Sequence, residues 1–188
     1  ICEHISQDLL NILKIKSMTI SNTSLMTCIS NDYGYENIYS KPLNLLMKKI
    51  VYLGSKGVGY ACLKHLYDHQ NSLSIELVGV LTNPRGEKII EFCREKSITI
   101  IDGLDEFINI ESCDIAISVQ YHKILKKEHI GKAKEIIINL HIAPLPEYRG
   151  CNQFSYAIIN NDKEFGTTIH RLEEGIDSGA IMFEKKFP

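Results

Sequence analysis

No pair among the six cysteines (2, 28, 62, 93, 113 and 151) falls into a CxxC spacing. A disulfide framework is not expected in a chain of 188 residues with cysteines scattered singly, so a reducing compartment fits best. No apolar run approaches the roughly 20 residues that a membrane-spanning helix needs. No basic segment followed by a long apolar stretch marks an export signal either. These absences lead us to expect a cytoplasmic protein without membrane contact. The formal net charge is only −2, which gives no reason to expect nucleic acid as a partner. Internal repeats and low-complexity tracts are missing too. What remains is ordinary globular composition, 44% apolar and 23% charged, at a length suited to one domain with a proper core.

The chain changes character near Met47. Residues 1–46 offer one amphipathic pattern (Ile5, Leu9, Ile12, Leu13) and then a stretch rich in Ser, Asn, Thr and Tyr. We read them as an appendage without chemistry. Both ends of the chain look cut, and residues 47–188 read as one catalytic domain truncated at its C-terminus. From Met47, apolar strands alternate with helical segments: a strand at 49–53, a helix at 57–69, a strand at 75–81 and a helix reaching Lys96. Strands at 98–101 and 114–119, a helix at 125–130 and a strand at 135–140 follow. Such alternation of continuous apolar runs predicts a mostly parallel sheet covered on both faces. Beyond residue 150 the pattern becomes a helix (153–159) and two hairpin-like strands, 166–172 and 180–187. The expected fold is α/β and Rossmann-like, with a C-terminal antiparallel extension.

Several motifs invite chemistry and then fall short. Gly54-Ser55-Lys56-Gly57-Val58-Gly59 follows the first strand, but its spacing is GxxGxG and no acidic residue ends the second strand. We read it as a tight turn into a helix. His65 and His69 lack the intervening carboxylate and third ligand of a metal site, so no metal is expected. Lys123, Lys126, Lys127, Lys132 and Lys134 form a basic stretch that reads as a solvated helix face.

Three other residues stand out. Asn139 follows the apolar run Ile136–Ile138, so it and His141 emerge together at the C-terminal end of a strand, where open α/β sheets bind ligands. Side chains two apart on an extended segment face the same way. Asp177 lies 38 residues after Asn139 in Gly175-Ile176-Asp177-Ser178-Gly179. An amide, an imidazole and a carboxylate are the parts that stabilise an oxyanion and move a proton.

Asn139-Leu140-His141, the Leu145-Pro146-Glu147-Tyr148-Arg149-Gly150 turn, the Gly166-Thr167-Thr168-Ile169 strand and the Asp177 turn together resemble the formyltransferases that use 10-formyltetrahydrofolate. The likeness spans roughly 47–187. It implies that Asn139 and His141 stabilise a tetrahedral intermediate, that His141 serves as base, and that Asp177 orients His141, favours its charged form and relays a proton. It also implies that the segment His122, Lys123, Ile124 and Leu125, with Ile137 and Asp177, holds the folate. Tyr121 and His122 depart from the small residues common there.

Arg149 either clamps an anionic substrate group or braces its loop. Cys151-Asn152-Gln153 replaces the Ala-Ala-Pro usual in methionyl-tRNA formyltransferases, which makes Asn152 and Gln153 candidate acceptor contacts. The likeness leans towards bacterial enzymes that formylate a nucleotide-linked amino sugar for surface polysaccharide, acting as homodimers through C-terminal elements. Methionyl-tRNA, glycinamide ribonucleotide, hydrolysis of the folate, and an inactive folate-binding fragment stay open as alternatives.

Overall fold

A computed structural model describes residues 47–188. The expected helix around Ile5–Leu13 lies outside the described residues.

The strands are β1 (Lys48–Gly54), β2 (Ile75–Leu81), β3 (Ile100–Ile101), β4 (Cys113–Val119), β5 (Ala133–His141), β6 (Phe165–Arg171) and β7 (Ile181–Phe187). They form one seven-stranded sheet in the order β3-β2-β1-β4-β5-β6-β7. The first five are parallel, while β6 runs antiparallel to both β5 and β7. The helices are α1 (Lys56–Asp68), α2 (Gln70–Leu73), α3 (Glu87–Glu95), α4 (Gly103–Asn109), α5 (Lys127–Ile130) and α6 (Gln153–Ile159).

Strand periodicity divides the core in two. In β1, Ile50 and Tyr52 pack on one face with Leu63 and Leu66 of α1 and Phe92 of α3. Val51 and Leu53 pack on the other with Leu104 and Phe107 of α4 and with Leu125. Because both faces are covered, the central strands need no polar alternation, which is why they read as continuous apolar runs. Tyr52 is fully buried in this core, and its hydroxyl donates to the Gly59 carbonyl at 2.7 Å. Burial pushes its phenol well above the usual range.

The sequence reading assigns no element to residues 102–113, yet α4 stands there. Only Leu104 and Phe107 of its seven residues are buried, too few to set a helical period in the sequence. The predicted strand at 98–101 shortens to two residues, and the helix expected at 125–130 begins two residues later.

The order 3-2-1-4-5 places a topological switch point between β1 and β4, where the chain leaves in opposite directions and opens a crevice at the strands' carboxyl ends. Ser55 bridges that gap. Its N–H donates to the Val119 carbonyl at 3.3 Å and its hydroxyl donates to the Gln120 carbonyl.

Candidate active site

Four parallel strands end at one cavity of about 620 Å³. Ser55 and Lys56 follow β1, Asn83 and Arg85 follow β2, and Gln120 to His122 follow β4. Asn139 and His141 close β5, and Asp177 enters from the loop between β6 and β7. A second, smaller cavity of about 140 Å³ lies alongside. Its walls are partly apolar (Ile124, Leu125, Leu172, Ile176) with Ser118 and Glu173 among the polar groups.

The loop after β5 is pinned from beneath. The buried Thr168 hydroxyl donates to the Ala143 carbonyl at 2.8 Å and accepts from the Leu145 N–H at 3.1 Å. His141 is therefore held at the head of a fixed turn. Its Nε2 lies 2.7 Å from the Tyr148 carbonyl oxygen. A carbonyl only accepts, so Nε2 carries a proton and Nδ1 is the nitrogen left to gain or lose one. That Nδ1 faces Oδ2 of Asp177 at 3.5 Å.

Asp177 is itself fixed by backbone geometry. It sits at φ 47 in the left-handed region, and its Oδ2 accepts from the Gly150 N–H at 2.9 Å. Gly150 has φ 87, a conformation that suits glycine. Two residues beyond Asp177, a Cβ on Gly179 would lie 1.8 Å from the Arg171 carbonyl oxygen, so this loop closes only over glycine. Burial raises the Asp177 pKa. The neighbouring His170 imidazole, the Gly150 N–H and the His141 imidazole outweigh burial and hold the carboxyl below its ordinary value.

His170 is the neighbour of this cluster that the sequence reading did not single out as a site residue. It pairs with Asn139 across β5 and β6 and is 2% exposed, so the ring is locked. Nδ1 of His170 lies 2.8 Å from the Arg171 carbonyl and therefore bears a proton. Nε2 then accepts from Nδ2 of Asn139 at 3.1 Å, and it stands 3.5 Å from Oδ1 of Asp177. The carboxylate thus sits between two imidazoles. A signal was present in the alternation that puts Thr168 and His170 on one strand with the same facing. The strand register that sets His170 opposite Asn139 is not written in the sequence.

The other expected site residues divide. His122, Asn152 and Gln153 line the large cavity, while Lys123, Ile124 and Leu125 line the small one. Ile137 lines neither cavity. Its side chain belongs to the core beside Val51 and Ala116, and its carbonyl accepts from the Leu172 N–H. It shares a face with Asn139 but lies two residues short of it, beneath the cavities. Arg149 is exposed and lines neither cavity, although Gly150 to Gln153 beside it line the larger one. His69 Nδ1 donates to the His65 carbonyl at 2.8 Å, and among the described residues no group of three potential ligands gathers around the pair.

This arrangement defines an α/β protein with an Asn-His-Asp cluster, backed by a second histidine, at the carboxyl edge of a doubly wound sheet. Residues 101–188 match the formyl transferase family. The methionyl-tRNA formyltransferase of Dictyoglomus thermophilum is 31% identical over 158 residues, covering 74% of this chain and 49% of that protein. Among solved structures, the sugar 3N-formyl transferase WlaRD, obtained in the presence of dTDP and 5-N-formyl-THF, is 30% identical with a TM-score of 0.61. That match covers 76% of this chain and 52% of WlaRD. Phosphoribosylglycinamide formyltransferase from Bacillus halodurans shares the fold, with a TM-score of 0.62 at 21% identity over 74% of this chain and 79% of its own. The chain belongs to the formyltransferase family. It spans about half the length of the curated relatives it matches.

Proposed function

We propose that residues 47–188 form a catalytic domain that transfers a formyl group from 10-formyltetrahydrofolate to a primary amine, with a nucleotide-linked amino sugar as the acceptor. The observation that carries this reading is the convergence of Asn139, His141 and Asp177 on one cavity, with Asn139 and Asp177 also facing the smaller one. A transfer reaction needs two reactants to meet at shared groups, and this arrangement supplies such a meeting place.

The small cavity suits the folate. Apolar walls from Ile124, Leu125, Leu172 and Ile176 would cover a planar heterocycle, and Ser118 and Glu173 offer hydrogen bonds to its polar edges. When bound, the folate supplies an activated formyl carbonyl. Asn139 then donates an N–H to that carbonyl oxygen as it gains negative charge, and its amide is already oriented by His170. His141 accepts the amine's proton at Nδ1, since Nε2 is committed to Tyr148. Asp177, 3.5 Å away, stabilises the resulting imidazolium and passes a proton towards the leaving nitrogen.

The acceptor belongs in the large cavity with Asn152 and Gln153, and Lys56 and Arg85 at its other strands favour an anionic carrier such as a nucleotide. The sequence relatives favour a second acceptor, methionyl-tRNA. The deciding experiment incubates the protein with 10-formyltetrahydrofolate and either a panel of nucleotide-linked amino sugars or methionyl-tRNA. The readouts are tetrahydrofolate release and product mass. A formylated sugar, lost in His141→Ala, supports the proposal. Formylated methionyl-tRNA instead would select the second acceptor, and folate consumption with neither product would reject both.

A further inference from the structure

Three residues face both cavities: Asn139, Asp177 and Tyr121. The first two have roles in the transfer proposed above. Tyr121 has none, and it is also a departure from the small residues that the sequence comparison led us to expect. Its position follows from the backbone. Gln120 leaves β4 with φ 54 and its carbonyl is held by the Ser55 hydroxyl, so the chain turns sharply and projects Tyr121 between the two cavities. The ring rests on the core cluster around Val51 and Leu125 and meets His122 at 4.9 Å, edge to face.

The Tyr121 hydroxyl is enclosed and finds no hydrogen-bond partner among the described residues. A buried hydroxyl left unpaired costs roughly 1–3 kcal/mol. The cost falls on the closed position of the ring and not on any position that brings the hydroxyl to an acceptor. Burial also raises the phenol's pKa, so the group is a hydrogen-bond donor at neutral pH.

We propose that Tyr121 is a positioning residue of the transfer junction, with its ring dividing the formyl-donor cavity from the acceptor cavity until the donor binds. Rotation of the side chain then gives its hydroxyl a hydrogen-bond acceptor on the donor, beside the transferred carbon. The closed ring keeps the two cavities apart, and the open ring joins them. This inference rests on the formyl-transfer reading for the identity of the donor.

The test uses the full chain, the variant Tyr121→Phe, and 5-formyltetrahydrofolate as the probe. Thermal unfolding is measured without the probe, and calorimetric affinity with it. Removing an unpaired hydroxyl leaves the ring in place, so the free variant should melt at or slightly above the wild-type temperature. Its affinity for the probe should fall about three- to tenfold, the value of one hydrogen bond. A lower melting temperature for the free variant would mean that the hydroxyl is already paired within the protein, which overturns the proposal. Equal affinities for wild type and variant would overturn it as well, leaving the formyl-transfer reading intact. Failure of the wild type to bind the probe would remove the donor reading itself, and this proposal with it.

Discussion

Nδ2 of Asn139 donates to Nε2 of His170 across 3.1 Å, and this bond decides which end of the asparagine amide faces its neighbour. An asparagine side chain can present either oxygen or nitrogen, and only the nitrogen stabilises an oxyanion. Since Nδ1 of His170 donates to the Arg171 carbonyl, Nε2 is left as the acceptor and selects the amide nitrogen.

His170→Ala should therefore lower kcat about 10- to 100-fold while leaving folate affinity within roughly threefold, an effect of about 1.4–2.7 kcal/mol on the barrier. His170→Gln restores an acceptor near the same place and should recover part of the loss. Steady-state kinetics on both variants, with folate affinity measured separately, check this. A larger loss of affinity than of kcat would place His170 in binding.

Asn139→Ala removes the proposed oxyanion donor outright. The expected loss in kcat is about 10²–10³-fold, as for other single oxyanion donors, with a stability loss of no more than about 1–3 kcal/mol from the unpaired Nε2 of buried His170. Asn139 is only partly buried, so the truncation leaves no sealed cavity in the core. Unaltered turnover would exclude the amide from the chemistry.

How much of this was legible beforehand depends on the length scale of each signal. The run Ile136-Ile137-Ile138 announced β5, and its continuation placed Asn139 and His141 at the strand's end, because strand periodicity is local. His170 escaped because its meaning depends on pairing with Asn139 across β5 and β6, a register set by the whole sheet. That Ile137 lines neither cavity was hidden for a related reason: facing is readable from alternation, while depth beneath the sheet edge is not. The helix α4 went unread because two buried side chains in seven residues make no period. Tyr121 showed only as an unusual residue, and its position between two cavities emerged from the left-handed turn at Gln120.

Thr168→Val tests the support beneath His141. Valine matches threonine in shape but leaves the Leu145 N–H without its acceptor and the Ala143 carbonyl without its donor. At a fully buried site this should cost about 1–3 kcal/mol. For a domain of this size that is a fall in Tm of several degrees. Activity should fall further than stability accounts for, because the turn that carries His141 loosens. Calorimetry alongside kcat at a temperature where both forms are folded separates the two.

Gly179→Ala should be more damaging than its size suggests. The added methyl meets the Arg171 carbonyl oxygen at 1.8 Å, and backbone cannot yield as a side chain can. The loop from Leu172 to Ala180 must shift, carrying Asp177 away from both imidazoles. Loss of activity together with a Tm lowered by several degrees is expected. A variant that melts and turns over like the wild type would contradict the close approach.

The pH dependence of stability follows from Asp177. Its folded-state pKa is depressed: burial opposes this, but the neighbouring His170 imidazole, the Gly150 N–H and the His141 imidazole prevail. An unfolded aspartate titrates near pH 3.9, so in acid the unfolded chain takes up the proton first. The stabilisation is therefore fully present above the unfolded value and lost as pH falls through the folded one. Asp177→Asn removes the titration while keeping the shape. The melting temperatures of wild type and variant should differ near pH 5, just above the unfolded carboxyl's range, and converge as pH falls below about pH 4. A gap that instead widened on acidification would mean that the carboxylate is destabilised in the fold, with burial winning over its two histidines and the Gly150 N–H.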